Sequence, residues 1–167
     1  MLYVPVSEVC MDGGPTGKGG ILTTGVQMIP KPAADSDGKF GRIQAINLET
    51  RELAWNFREV VPPTTSTLST SGGLVFVGAL DGSFKALHNT TGEVLWQTEL
   101  GDIPQSFPVS YSVNGKQYIA VVIGQPAILA STWMGVISAF QAGSSGASEE
   151  FIFGMEGNAS VQVFALP

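Results

Sequence analysis

Gly41-Arg-Ile-Gln-Ala-Ile-Asn-Leu-Glu-Thr-Arg-Glu-Leu-Ala-Trp55 and Gly82-Ser-Phe-Lys-Ala-Leu-His-Asn-Thr-Thr-Gly-Glu-Val-Leu-Trp96 are two copies of one block, 41 residues apart. Gly41 and Gly82, Ala45 and Ala86, Thr50 and Thr91, Glu52 and Glu93, and Trp55 and Trp96 fall in register. A period near 40 with strands, turns and one Trp per unit is the signature of a β-propeller blade. Each copy reads as a hairpin. Ser83 to Leu87 alternates, which predicts a half-buried strand. His88 to Gly92 reads as a turn, because Asn tolerates left-handed backbone and Gly adopts positive φ without strain. Glu93 to Gln97 returns. Trp55 and Trp96 are expected as structural residues that bury a ring between neighbouring blades, each needing a partner for its N–H.

Composition agrees with many short strands joined by tight turns. Of 167 residues, 44% are hydrophobic and 13% charged, with 21 Gly and 10 Pro. A net charge of −6 is too modest for a disordered chain. It also leaves no basic stripe for a nucleic acid to release counterions from, so no nucleic-acid partner is expected. No apolar run reaches membrane-spanning length. The start, Met1-Leu-Tyr-Val-Pro5, reads as a strand, and no signal peptide is visible. Cys10 is the one cysteine and has no internal disulfide partner; a buried free thiol and a bridge to a cysteine outside the chain are the two readings.

Along the chain, Leu2 to Val6 is a short strand, followed by a Gly- and Pro-rich loop from Gly13 to Gly20. Ile21 to Met28 reads as a strand and Pro30 to Lys39 as an exposed polar loop. Val61-Pro62-Pro63-Thr64-Thr65 is a rigid link. Thr67–Thr70, Leu74–Gly78, Ser83–Leu87 and Val94–Leu100 then make four strands, one complete blade over about 64–100. Phe107–Val113 and Lys116–Ile123 flank Asn114-Gly115, a strong hairpin turn. Gly135 to Phe140 repeats the Gly-x-x-x-Ala pattern, and Val161 to Ala165 is a last strand. The whole is expected to be a single all-β domain over 1–167, a partial β-propeller of about three to four four-stranded antiparallel blades, with repeat hairpins at 41–58 and 82–98.

Leu74-Val-Phe-Val-Gly-Ala-Leu-Asp-Gly-Ser-Phe-Lys-Ala86, Thr91-Gly-Glu-Val-Leu-Trp96 and Phe107 to Val121 resemble, in order and spacing, the late blades of the quinoprotein alcohol and methanol dehydrogenases. Tyr3-Val-Pro5 with Cys10-Met11-Asp12, and Gly157 to Pro167, resemble other segments of their C-terminal half. The resemblance implies an eight-bladed propeller with pyrroloquinoline quinone (PQQ) on its axis. It further implies a calcium or lanthanide ion acting as Lewis acid, an Asp general base, an alcohol substrate and an electron acceptor. Nothing in this chain aligns with the family's metal ligands, its catalytic Asp or its adjacent-cysteine ring. No catalytic residue and no metal ligand is therefore expected here. The chain resembles roughly the last third of such an enzyme, periplasmic when complete and inactive alone.

Three positions that face the cofactor in the family carry other residues. Ser7 stands where methanol-type enzymes have Asn. Thr64 stands where a Trp stacks under the quinone ring, and Ala127, in Gly124-Gln-Pro-Ala-Ile128, replaces a Gly-rich Trp-Gly-Gly run. Ser7, Thr64 and Ala127 are the candidate cofactor-binding residues, and their substitution supports an alternative: a non-catalytic propeller scaffold or interaction protein. Asp81 and His88 are read as turn residues and Asp12 as positional. One His without a Cys or His cluster makes no metal site. A partial ring exposes strand edges and blade faces, so self-association is expected, with Val161–Ala165 lacking its strand partner.

Overall fold

The computed structural model describes residues 1–14, 21–23, 26–124 and 159–166. These residues contain strands and turns and no helix, so no described helix is long and apolar enough to cross a membrane. The all-β reading holds, and the sheets stack as an open arc of blades.

The first blade is built from β1 (Leu2–Ser7), β5 (Gly41–Ile46) and β6 (Leu53–Glu59), in the order β1-β5-β6. The second follows the chain as a meander: β7 (Leu68–Ser69), β8 (Leu74–Gly78), β9 (Ser83–His88) and β10 (Val94–Glu99). The third contains β11 (Ile103–Pro104), β12 (Val109–Val113), β13 (Lys116–Gly124) and β14 (Ser160–Ala165). All pairings are antiparallel. Between β1 and β5 the chain makes a small separate sheet of β2 (Val9–Gly14), β3 (Ile21–Thr23) and β4 (Val26–Pro32), ordered β2-β4-β3.

The sequence repeat is a repeat of hydrogen bonds. In the first copy Asn47 N–H donates to Glu52 O at 2.9 Å and Arg51 N–H to Asn47 O at 2.8 Å. In the second, His88 N–H donates to Glu93 O at 2.8 Å and Gly92 N–H to His88 O at 2.9 Å. Arg51 (φ 63) and Gly92 (φ 74) occupy the same left-handed position. Both hairpins also skip one residue before the Trp, between Leu53 and Trp55 and between Val94 and Trp96, and the bulge turns each ring toward the next blade.

Alternation along each strand assigns the two faces. Ile43, Ala45 and Trp55 of the first blade pack on Val75, Val77 and Leu87 of the second. The opposite face of the second blade, Phe76, Phe84 and Ala86, packs on Ile119, Val121 and Ile123 of the third. A third cluster of Phe40, Val61, Ala79, Leu80 and Ile103 ties the inter-blade links together at one end. Burying a side chain as completely as Phe84 (0% exposed) contributes about 1.5–3 kcal/mol.

Four expectations are corrected. Ser83 to Leu87 is buried on both faces, because a blade packs on each side of it. Val161–Ala165 has a partner: β14 pairs with β13 from Ile123↔Ser160 to Tyr118↔Ala165. Cys10 is exposed, because β2 belongs to the small sheet that departs from the blade stack. Residues 30–39 are only partly an exposed loop: β4 runs to Pro32, and Ser36 is buried where it donates to Ala33 O. The third Gly-x-x-x-Ala block at 135–140 lies outside the described residues.

Candidate functional site

The end of the blades that carries the links also carries Ser7 and Thr64. Ser7 closes β1 opposite Gly41 and is exposed. Gly41 lies against the next link so closely that a Cβ there would sit 2.1 Å from Val61 O. That link continues through Pro62 and Pro63, whose bridge to Ala79 presents Thr64 beside the turn between β8 and β9. Thr64 N–H donates to Gly78 O at 2.9 Å, and Gly78 N–H donates to Thr65 Oγ1 at 2.8 Å. Thr64 Oγ1 is itself buried and has no hydrogen-bond partner among the described residues. Ser7 and Thr64 thus occupy the same end of adjacent blades, joined through Gly41 and the Val61–Pro63 link. Ala127 lies outside the described residues.

Two charged networks at this end were not foreseen from sequence. The Glu8 carboxylate accepts from Arg42 Nη1 at 2.7 Å and from Arg58 Nη2 at 3.4 Å. Arg58 also donates to Asp35 Oδ2 at 3.1 Å, and this bond holds the Asp35 carboxyl below its ordinary range. Between the first and second blades, Lys85 Nζ donates to Glu59 Oε2 at 2.7 Å and to Ser83 Oγ, with both ion-pair partners about nine-tenths buried. Burial pushes the Glu59 carboxyl above its ordinary value, against the opposing pull of Lys85. The only signal in the sequence was a lone cation inside an apolar strand, which alternation alone assigns to solvent.

The turn residues act locally. Asp81 Oδ1 accepts from Ser83 N–H at 3.0 Å and from Ser83 Oγ at 2.5 Å. His88 Nδ1 accepts from Thr90 N–H at 3.3 Å, the bond Asn47 Oδ1 makes to Glu49 N–H at 2.9 Å in the first copy. Asp12 pairs with Lys31 at 2.6 Å on an exposed surface. Trp55 is buried and its Nε1–H donates to Asn89 O at 2.9 Å, where Tyr3 O–H also donates at 3.1 Å. Trp96 is 39% exposed and meets Phe164 edge-on at 5.2 Å.

Thr64 supplies no aromatic platform for a planar cofactor. Among the described residues no three His, Cys, Asp or Glu side chains gather as a metal site. The quinone and metal expected from the resemblance therefore do not fit the described residues as a complete site, and no reaction step is assigned to them.

Comparison with known proteins agrees with the fold. A family model for the β-propeller domain of PQQ-dependent glucose, ethanol and alcohol dehydrogenases matches residues 22–119. The chain is 31% identical over 131 residues to subunit 1 of the methanol dehydrogenase (cytochrome c) of Methylobacterium organophilum, covering 74% of this chain and 21% of that one. It is 39% identical over 85 residues to the quinohemoprotein alcohol dehydrogenase of Comamonas testosteroni, covering 51% of this chain and 12% of that one. A europium-containing methanol dehydrogenase superposes with a TM-score of 0.72 at 26% identity, over 98% of this chain and 30% of that structure. The chain thus spans about an eighth to a fifth of the length of these two curated relatives.

Proposed function

The chain belongs to the family of PQQ-dependent dehydrogenase β-propellers, and on that premise we propose that it forms the late blades of an enzyme that oxidises alcohols with the quinone as hydride acceptor. In this reading the chain supplies one wall of the cofactor pocket, at the end where Ser7 and Thr64 lie, with Ala127 a third contributor by the family resemblance alone. The catalytic acid or base and the metal ligands come from other blades. The complete enzyme is periplasmic and passes electrons to an external acceptor, a cytochrome c in the relatives named for one. The observation that carries the reading is the continuity of the match, which runs through both repeat copies and superposes nearly the whole chain on part of a methanol dehydrogenase.

The test is dye-linked alcohol oxidation with added PQQ and calcium. The chain alone gives no turnover, whereas the polypeptide extended to the length of its relatives oxidises primary alcohols and binds PQQ at micromolar concentration. Ordinary turnover by the chain alone overturns the assignment of catalysis to other blades. A second reading, a non-catalytic propeller scaffold, is favoured by one observation: Thr64 offers a buried hydroxyl, without a hydrogen-bond partner among the described residues, where the family stacks an indole. It leads if the extended polypeptide folds but leaves PQQ unbound.

A further inference from the structure

One buried lysine ties together the two segments that present Thr64. The link that leaves β6 after Glu59 runs through Val61 and Pro62 to Thr64, laid against the turn between β8 and β9. Leu80 N–H donates to Pro62 O at 3.0 Å, Pro63 bridges to Ala79, and Thr64 N–H donates to Gly78 O at 2.9 Å. The turn is braced from its other side. Gly82 N–H donates to Ala79 O at 3.1 Å, and Asp81 Oδ1 accepts from both the amide and the hydroxyl of Ser83. Lys85 reaches both segments: its Nζ donates to Ser83 Oγ, at the exit of the turn, and to Glu59 Oε2, at the entry of the link. One line of hydrogen bonds thus runs from Glu59 through Lys85 and Ser83 to Asp81, with Ser83 0% and Lys85 6% exposed.

We propose that Lys85, acting through Glu59 and Ser83, is a positioning residue of the cofactor wall: it fixes the link against the turn and so sets where Thr64 stands. The proposal rests on the reading of this end as one wall of the quinone pocket. A buried ion pair adds little net stability over an apolar pair of the same size, because desolvation offsets the attraction. Leu87, on the same face of β9, already joins the apolar contact across this junction. What the ammonium adds is direction, since its N–H bonds hold two acceptors from different segments in one arrangement. Residues that line a binding site need such a supporting layer to keep them in place. Lys85 is buried beneath the wall, so it acts by placing Thr64 and not by touching the cofactor.

E59L/K85M replaces the pair by apolar side chains of similar length and tests the proposal in the full chain. Amide hydrogen exchange followed by NMR is expected to be about tenfold faster at Thr64 and Leu80 in this variant. Asn47 and His88, whose amides close turns at the far ends of the same blades, are expected to keep the parental rate. A pair that only stabilised the fold would change all of these amides alike or none. Parental exchange at Thr64 and Leu80 overturns the proposal, and so does a uniform acceleration. If E59L/K85M loses the parental near-UV dichroism, S83A decides, because it deletes only the hydroxyl that joins Lys85 to Asp81. Faster exchange at Leu80 in S83A supports the proposal, and the parental rate overturns it. The polypeptide extended to the length of its relatives gives a second readout. There the PQQ dissociation constant, read by fluorescence titration, is expected to rise about tenfold in E59L/K85M, and an unchanged constant overturns the role at the cofactor wall. If the extended parent itself binds no PQQ, the enzyme reading fails, and the exchange rates at Thr64 and Leu80 alone decide whether Lys85 positions the link.

Discussion

Trp55 and Trp96 are the same residue of one repeated motif, yet the first is 8% exposed and the second 39%. The difference lies in what the following sheet presents. Trp55 meets the turn His88–Gly92 of the second blade: Asn89 O accepts its Nε1–H, and Gly92 lies so close that a Cβ there would be 2.7 Å from Cε3. Trp96 meets a strand, through Phe164 of β14. The motif thus fixes where the indole points, and the neighbour decides how much of it is buried. Trp55→Ala is expected to destabilise the fold by about 3–5 kcal/mol, the usual cost of emptying a buried aromatic site. Trp96→Ala should cost less than half as much, since much of its ring already faces water. Guanidinium melts at one fixed low protein concentration check this, and equal losses would break the distinction.

The same strand position distinguishes the copies a second time. Gln44 of the first copy aligns with Lys85 of the second. Gln44 lies half-buried on the outer face of the arc, while Lys85 is 6% exposed beneath the first blade and paired with Glu59. Removing one partner leaves a buried charge, so Lys85→Met is expected to cost about 3–5 kcal/mol, whereas Lys85→Met with Glu59→Leu should be near neutral. The pair also sets a pH dependence. Burial raises the Glu59 carboxyl above its ordinary value near 4.5, so the folded chain holds this proton more tightly than the unfolded one. Its contribution therefore falls as pH rises from about 4.5 through the raised value, and is constant above it. Glu59→Gln should remove that slope, and Lys85→Met should extend it to higher pH by removing the favourable cation. A slope unchanged in both variants would assign it to other groups.

Local rules made most of the fold legible. The bonds of the two turns, their shared left-handed position and the Asn114-Gly115 hairpin are all short-range chemistry, and the sequence states them directly. Burial of Lys85 was not legible, because alternation describes a sheet with one wet face and β9 has none. The pairing of β14 with β13 spans a long stretch of chain, and no local pattern encodes it. Exposure of Cys10 depended on the β2–β4 sheet leaving the stack, which composition does not signal. At the candidate site, the family pattern pointed to Ser7 and Thr64. The ion pairs beside them come from links whose mutual approach, such as Gly41 against Val61, only the packed blades define.

The two turns sharpen the comparison at its finest scale. Arg51 and Gly92 share positive φ, but Arg51 carries a side chain there, which costs an L-residue about 1–2 kcal/mol. Gly92 carries none, and the indole of Trp55 fills the space where one would stand. Gly92→Ala therefore combines backbone strain with a clash against a ring held by its bond to Asn89 O, and should destabilise by about 1–3 kcal/mol. Arg51→Gly relieves strain, but makes the unfolded chain more flexible, so a net gain below about 1 kcal/mol is expected. The opposite signs are the point of the pair. If Gly92→Ala were as mild as a substitution in the exposed first turn, the ring would have room to yield, and the contact between Trp55 and the second turn would not be the fixed joint between these blades.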